Sequence, residues 1–204
     1  MSKSFTRDKK LIRVPSDIIA ELSKAAVTVG KSFYDYTAEA LEQVVRAHKL
    51  GCSPVEVVDF YELMRIQKNA GLVMIFSDTL DYLISKLYLE EKEDLLQKWY
   101  DTGVWYGKYL QAKFHSRQPV EMLEKLLSVT LWDVNEIELS KENDGITLRC
   151  VSFTLSVERT KLLTSFLEGI MYSMGYETSE KDVIRGIIRM KLKVSRKEKT
   201  KKPL

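Results

Sequence analysis

Apolar and basic side chains alternate over Lys9-Lys10-Leu11-Ile12-Arg13-Val14-Pro15, a period of two that predicts a short strand. Ile12 and Val14 fall on one face, and Lys9, Leu11 and Arg13 on the other. Pro15 ends the run and Ser16 is placed to cap a helix, which leaves no room nearby for a second hairpin strand. The period then changes. Ile19, Leu22, Ala26 and Val29 are spaced by three, four and three, predicting a helix from about Asp17 to Val29 that Gly30 stops. Ser32 caps a second predicted helix, Phe33 to Lys49, with Phe33, Tyr36, Ala40, Leu41, Val44 and Val45 on its apolar side.

Gly51, Ser53 and Pro54 break the pattern and mark the expected boundary of an N-terminal unit, residues 1–50. Beyond it Val57, Phe60, Tyr61 and Met64 predict one helical face. Leu80, Leu83, Ile84 and Leu87 predict another, opened by Ser77. The longest helical pattern, Glu90 to Phe114, places Leu96, Trp99, Gly103, Tyr106, Gly107 and Leu110 together. Glycines four apart inside a helix cost stability unless another helix approaches closely, so Gly103 and Gly107 predict a tight crossing, with a helix break near Asp101-Thr102-Gly103 as the alternative. Gln118-Pro119 opens a shorter helix through Leu127. Trp132 to Leu139 and Ile146 to Leu155 then predict strands, joined by the turn Glu142-Asn143-Asp144-Gly145. A helix from Val157 to Met174 and a single last strand, Ile184 to Val194 with Arg185, Arg189, Lys191 and Lys193 facing out, complete the pattern. The expected class is α+β, helix-rich. A second domain over residues 51–194 carries a small antiparallel sheet covered on one side, and a basic tail over 195–204 follows.

At 204 residues, 45% apolar and 30% charged, the composition is that of a globular chain, and no apolar run approaches the ~18 residues of a membrane span. No signal-peptide pattern opens it, so a cytoplasmic location is expected. Charge changes the picture more than composition does. Residues 1–13 and 195–204 each carry five basic side chains against one acid; with +3 for the whole chain, the body between them is net −5 (+3 less +4 twice). Basic ends on an acidic body favour polyanion contact at the ends, although the C-terminal run reads equally well as a solvated tail.

A strand that cannot pair within its own chain, followed by helix, turn and helix over residues 9–49, resembles the ribbon-helix-helix family of dimeric DNA-binding proteins. The resemblance implies a homodimer whose two strands pair about a two-fold axis, burying Ile12 and Val14 and turning the basic face to the major groove. It assigns base contact to Lys9, Leu11 and Arg13, and phosphate contact to Lys31, Ser32 and Phe33 at the N-terminus of the second helix. Leu163-Thr164-Ser165-Phe166-Leu167-Glu168-Gly169-Ile170-Met171-Tyr172-Ser173-Met174-Gly175-Tyr176 resembles the glycine-bearing helix of the vinyl-reductase-type, hydrocarbon-binding (4VR) domains, and the likeness extends over about residues 90–194. Those domains often carry cysteines around the final strand, and Val183 to Val194 has none. What that resemblance implies is therefore a small-molecule pocket and no metal.

Candidate chemistry is sparse. His48 and His115 are the only histidines, and Cys52 and Cys150 lie far apart without a CxxC spacing, so no metal, cofactor or disulfide framework is expected. With no phosphate-binding glycine loop and no GxSxG, an enzyme is not expected either. Trp99, Tyr106, Trp132, Phe166 and Met171 could line a cavity for an apolar ligand, with Glu168 as its first polar group, although core packing accounts for such stripes as well. The sequence thus points to a homodimeric, sequence-specific DNA-binding transcriptional regulator with a possible small apolar ligand. Its rival is a dimeric ligand-binding or scaffold protein with no DNA role.

Overall fold

The computed structural model describes residues 10–114, 119–142 and 145–195. Among them lie seven helices and a four-stranded antiparallel sheet, an α+β and helix-rich fold. The chain divides into two compact units, Met1–Asp59 and Phe60–Leu204.

The first unit contains α1 (Ser16–Thr28) and α2 (Phe33–Lys49). Gly30 adopts φ +69°, and the amides of Lys31 and Gly30 donate to the carbonyls of Ala26 and Val27. That pattern closes the last turn of α1 and reverses the chain. Ser32 caps α2, its hydroxyl accepting from the Asp35 amide at 3.1 Å. Ala26 and Ala47 are the buried apolar residues of this pair. The strand expected over Lys9–Pro15 is not formed in the single chain: Lys10 to Pro15 carry no regular structure, and Lys9 lies outside the described residues. A lone strand has no ladder to satisfy its backbone, so the segment stays open unless another strand meets it.

α3 (Pro54–Asn69) opens with a capping box, in which the Ser53 hydroxyl accepts from the Glu56 amide and the Glu56 carboxylate accepts from the Ser53 amide. Those bonds hold the Glu56 carboxyl below its usual range. The expected face Val57, Phe60 and Tyr61 is exposed; Leu63, Ile66 and Ala70 are the positions that pack on the core of the second unit. α4 (Ser77–Glu90) buries Ile84, while Leu83 and Leu87 remain exposed.

The second unit is organised on the crossing of α5 (Lys92–Lys113) with α7 (Val157–Ser173). α5 is continuous, without a break near Gly103. A Cβ on Gly103 would stand 2.1 Å from the Phe166 carbonyl oxygen, one on Gly107 2.0 Å from Ser173 Oγ, and one on Gly169 2.1 Å from the Tyr100 carbonyl oxygen. Only glycine lets the two backbones come this close.

α6 (Pro119–Thr130) and α7 cover one face of the sheet, whose order is β1-β2-β4-β3: β1 Glu136–Glu142, β2 Gly145–Val151, β3 Tyr176–Ile184 and β4 Ile187–Val194. Ile146, Leu148 and Cys150 of β2 and Ile188, Met190 and Leu192 of β4 point into the core, with Leu123, Leu127, Leu167, Ile170 and Met171 above them. Two corrections concern the sheet. Trp132 precedes the first strand rather than opening it, and the expected single last strand is a hairpin, turning at Arg185-Gly186 so that Ile184 pairs with Ile187. Gly186 takes φ +71° at the second position of the turn, and a Cβ there would stand 2.1 Å from the Ser152 carbonyl oxygen, so the position requires glycine.

Candidate functional site

In the first unit Leu11 is 94% exposed and Ile12 63%, and Lys10 and Arg13 are exposed as well. Leu11, Ile12 and Arg13 thus all face solvent in the single chain. At the start of α2, of the positions expected to anchor phosphate, Lys31 and Ser32 already have partners. Lys31 pairs with Glu39, the Ser32 hydroxyl serves the Asp35 amide, and the Asp35 carboxylate accepts from that same hydroxyl at 2.6 Å. Phe33 is exposed. A phosphate arriving there would have to displace Glu39 from Lys31 and tolerate Asp35, so this helix end is a weaker anion site than its position alone implies.

In the second unit a cavity of about 480 Å³ lies among the helices. Its wall is built from Gln67 and Ala70 of α3, the following residues Gly71, Leu72, Val73 and Ile75, Leu80 of α4, and Leu127, Thr130 and Leu131 at the end of α6. Lys98, Trp99, Thr102, Trp105 and Tyr106 of α5 face Leu163 and Phe166 of α7 across it. These side chains meet because the close α5–α7 crossing brings Phe166 to both neighbours. Its ring lies 6.5 Å from that of Trp99, edge to face, and 5.8 Å from that of Tyr106.

Polar groups are few and mostly satisfied. The Tyr106 hydroxyl donates to Gln67 Oε1 at 2.9 Å, with Gln67 1% exposed. Burial pushes the Tyr106 hydroxyl up to about 12, so it stays a neutral donor at every physiological pH. A second hollow shares Leu72, Val73, Ile75 and Thr130 with the first and adds Met74, Phe76, Trp132, Asp133 and Arg159. There the buried Arg159 guanidinium is paired with Asp133 and, at 3.4 Å, with Asp81, so its charge is already answered.

Of the residues read from the sequence as a pocket, Trp99, Tyr106 and Phe166 share the first cavity and Trp132 borders the second. Met171 does not line either hollow; it is fully buried in the core against the sheet. Glu168 is also outside, because it turns toward β3 and accepts two hydrogen bonds from Lys181 Nζ, at 3.0 and 3.1 Å. The main omission is the loop Leu72-Val73-Met74-Ile75-Phe76, which borders both hollows yet leaves Val73 80% and Phe76 86% exposed. A signal for it was present: five consecutive apolar residues between Gly71 and Ser77 fit neither helix nor strand period.

Among the described residues no cluster of His, Cys, Asp or Glu could hold a metal ion, and no helix is long and apolar enough to cross a membrane.

No family model and no curated protein matches the chain, so neither the ribbon-helix-helix nor the 4VR resemblance gains support from that direction. Among solved structures the chain is similar to an oxygen-binding H-NOX domain related to soluble guanylate cyclases, solved as its oxygen complex. The two are 16% identical with a TM-score of 0.38, over 74% of this chain and 97% of that one. A likeness so distant carries no functional inference.

Proposed function

We propose that the protein is a homodimeric, sequence-specific DNA-binding regulator whose second unit takes a small, largely apolar ligand. It acts as a regulator and not as an enzyme. The observation that carries the reading is the exposure of the first unit's apolar face. Ile12, Val14, Ile18, Ile19, Leu41, Val44 and Val45 are all exposed in the single chain, and Ala26 and Ala47 alone among its described apolar residues are buried. Two helices with so little core do not hold a fold unaided, and a second copy supplies the missing apolar surface. In that pairing the strands over residues 9–15 complete each other's ladders and leave Lys9, Leu11 and Arg13 on the outer, basic face.

The experiment is a selection of binding sites from a random oligonucleotide pool, followed by gel shifts of the enriched duplex. The reading expects enrichment of a palindromic site and loss of the shift with Arg13→Ala. Failure to enrich any sequence at low salt would rule the DNA role out.

The cavity of the second unit fits equally well the rival reading, a dimeric ligand-binding protein without a DNA role, because a ligand there needs no nucleic acid. That rival expects ligand binding with no salt-dependent affinity for duplex.

A further inference from the structure

Lys98 is the charged side chain in the wall of the 480 Å³ cavity, and Trp99, Thr102, Trp105 and Tyr106 share that wall with it. It is exposed, and among the described residues no carboxylate lies within ion-pairing distance of it. The polar pair Gln67 and Tyr106 is different: the Tyr106 hydroxyl donates to Gln67 Oε1, the Gln67 amide nitrogen donates to the Leu126 carbonyl, and neither requires a ligand. A solvated ammonium thus stands beside a largely apolar, aromatic-walled space whose buried Gln67–Tyr106 pair is already satisfied. A lysine stem lies easily along such a wall while its head stays wet.

We infer that the cavity takes an amphipathic monocarboxylate, its apolar body among Trp99, Leu163 and Phe166 and its carboxylate on Lys98. This rests on the reading of the cavity as a ligand site. At about 30 Å³ for each water-sized group, the volume suits a ligand of roughly a dozen to sixteen non-hydrogen atoms. Both an alkyl acid and a biaryl acid have that size, and the shared chemistry is a single anionic end on an apolar body.

The test is a titration of the full chain, read by tryptophan fluorescence, with two matched pairs: dodecanoate against dodecanol, and biphenyl-4-carboxylate against biphenyl-4-methanol. In at least one pair the acid binds about fivefold tighter than the alcohol, as expected of a partly solvated ion pair. The preference drops below twofold in Lys98→Met while the alcohol keeps its affinity. The pair that shows the preference identifies an alkyl or an aryl body. Equal affinity of acid and alcohol in both pairs overturns the carboxylate assignment and leaves the cavity as a neutral-ligand site. No binding by any of the four overturns the ligand reading of the cavity as well.

Discussion

Arg13 is exposed, and under the proposed DNA-binding reading its guanidinium, which can bond bidentately to guanine, is the single group expected to bear most on sequence preference. Arg13→Ala is expected to cost about 1–3 kcal/mol on the selected duplex and to relax preference at one position of each half-site, as measured by fluorescence anisotropy across single-base variants. Lys31→Ala is expected to weaken all sequences alike, but by little, because Lys31 must first leave Glu39. In the second unit Tyr106 and Gln67 form a buried pair, and removing one partner leaves the other unsatisfied. Tyr106→Phe is expected to lose about 1–3 kcal/mol of stability. Adding Gln67→Leu should cost less than the two single losses summed, a coupling that a double-mutant cycle of urea melts measures directly.

Burial raises the Cys150 thiol from 9.0 and the Tyr106 hydroxyl from 10.0, each to about 12. Their folded values lie above their unfolded ones, so between about pH 9 and 12 the unfolded chain gives up protons first. The stability present below that window is lost across it, and urea midpoints are expected to fall from pH 8 to pH 10.5. At neutral pH a thiol reagent should label the half-buried Cys52 and leave Cys150 untouched until the chain unfolds.

At the scale of elements the structure depends on the α5–α7 crossing. Gly103→Ala would drive a methyl group to 2.1 Å from a backbone carbonyl oxygen, which no rotamer change relieves. A loss of about 3 kcal/mol or more is expected from denaturant melts, whereas Gly30, with nothing within 4 Å, would show only the cost of its positive φ. This crossing was legible in the sequence because each glycine inside a helical stripe costs that helix about 1 kcal/mol, a loss that close approach of a second backbone offsets. The pairing of β1 with β2 and the bounds of α2 were also legible, from two strand-like runs with the expected turn residues Asn143 and Asp144, outside the described residues, between them and from a serine cap.

Three features were not legible, each for a physical reason. β3 is an edge strand whose residues Ser179 to Asp182 all meet solvent, so no alternation of apolar residues marks it in the sequence. The Arg185-Gly186 turn sits in phase with the alternation of β4 and was hidden by it. The packed face of α3 includes Gln67, a polar residue that a hydrophobic count passes over and that is buried with its amide oxygen accepting from Tyr106 and its amide nitrogen donating to the Leu126 carbonyl. The same limit applies to the site. Aromatic residues on α5 and α7 could be grouped by period, but whether Glu168 turned inward depended on Lys181, thirteen residues away on another element.

For the molecule as a whole, the proposed reading assigns DNA binding and pairing to the first unit and ligand binding to the second. The first exposes apolar side chains together with Lys10 and Arg13, and the second holds a partly open cavity lined by residues of one chain. Basic charge concentrated at the chain ends, against an acidic body, predicts DNA affinity that falls steeply with salt while dimer formation does not. Pairing through apolar faces and strand edges also predicts that Leu41→Asp on α2 abolishes dimers and DNA binding together, as checked by light scattering and gel shift, while the fluorescence response of the cavity to ligand survives. The measurement that tests the central claim most directly is the stoichiometry of an anisotropy titration on the selected duplex at saturating protein. Two chains per palindromic site, with affinity falling as salt rises, is the expected result; saturation at one chain per site, or no binding even at low salt, would contradict it.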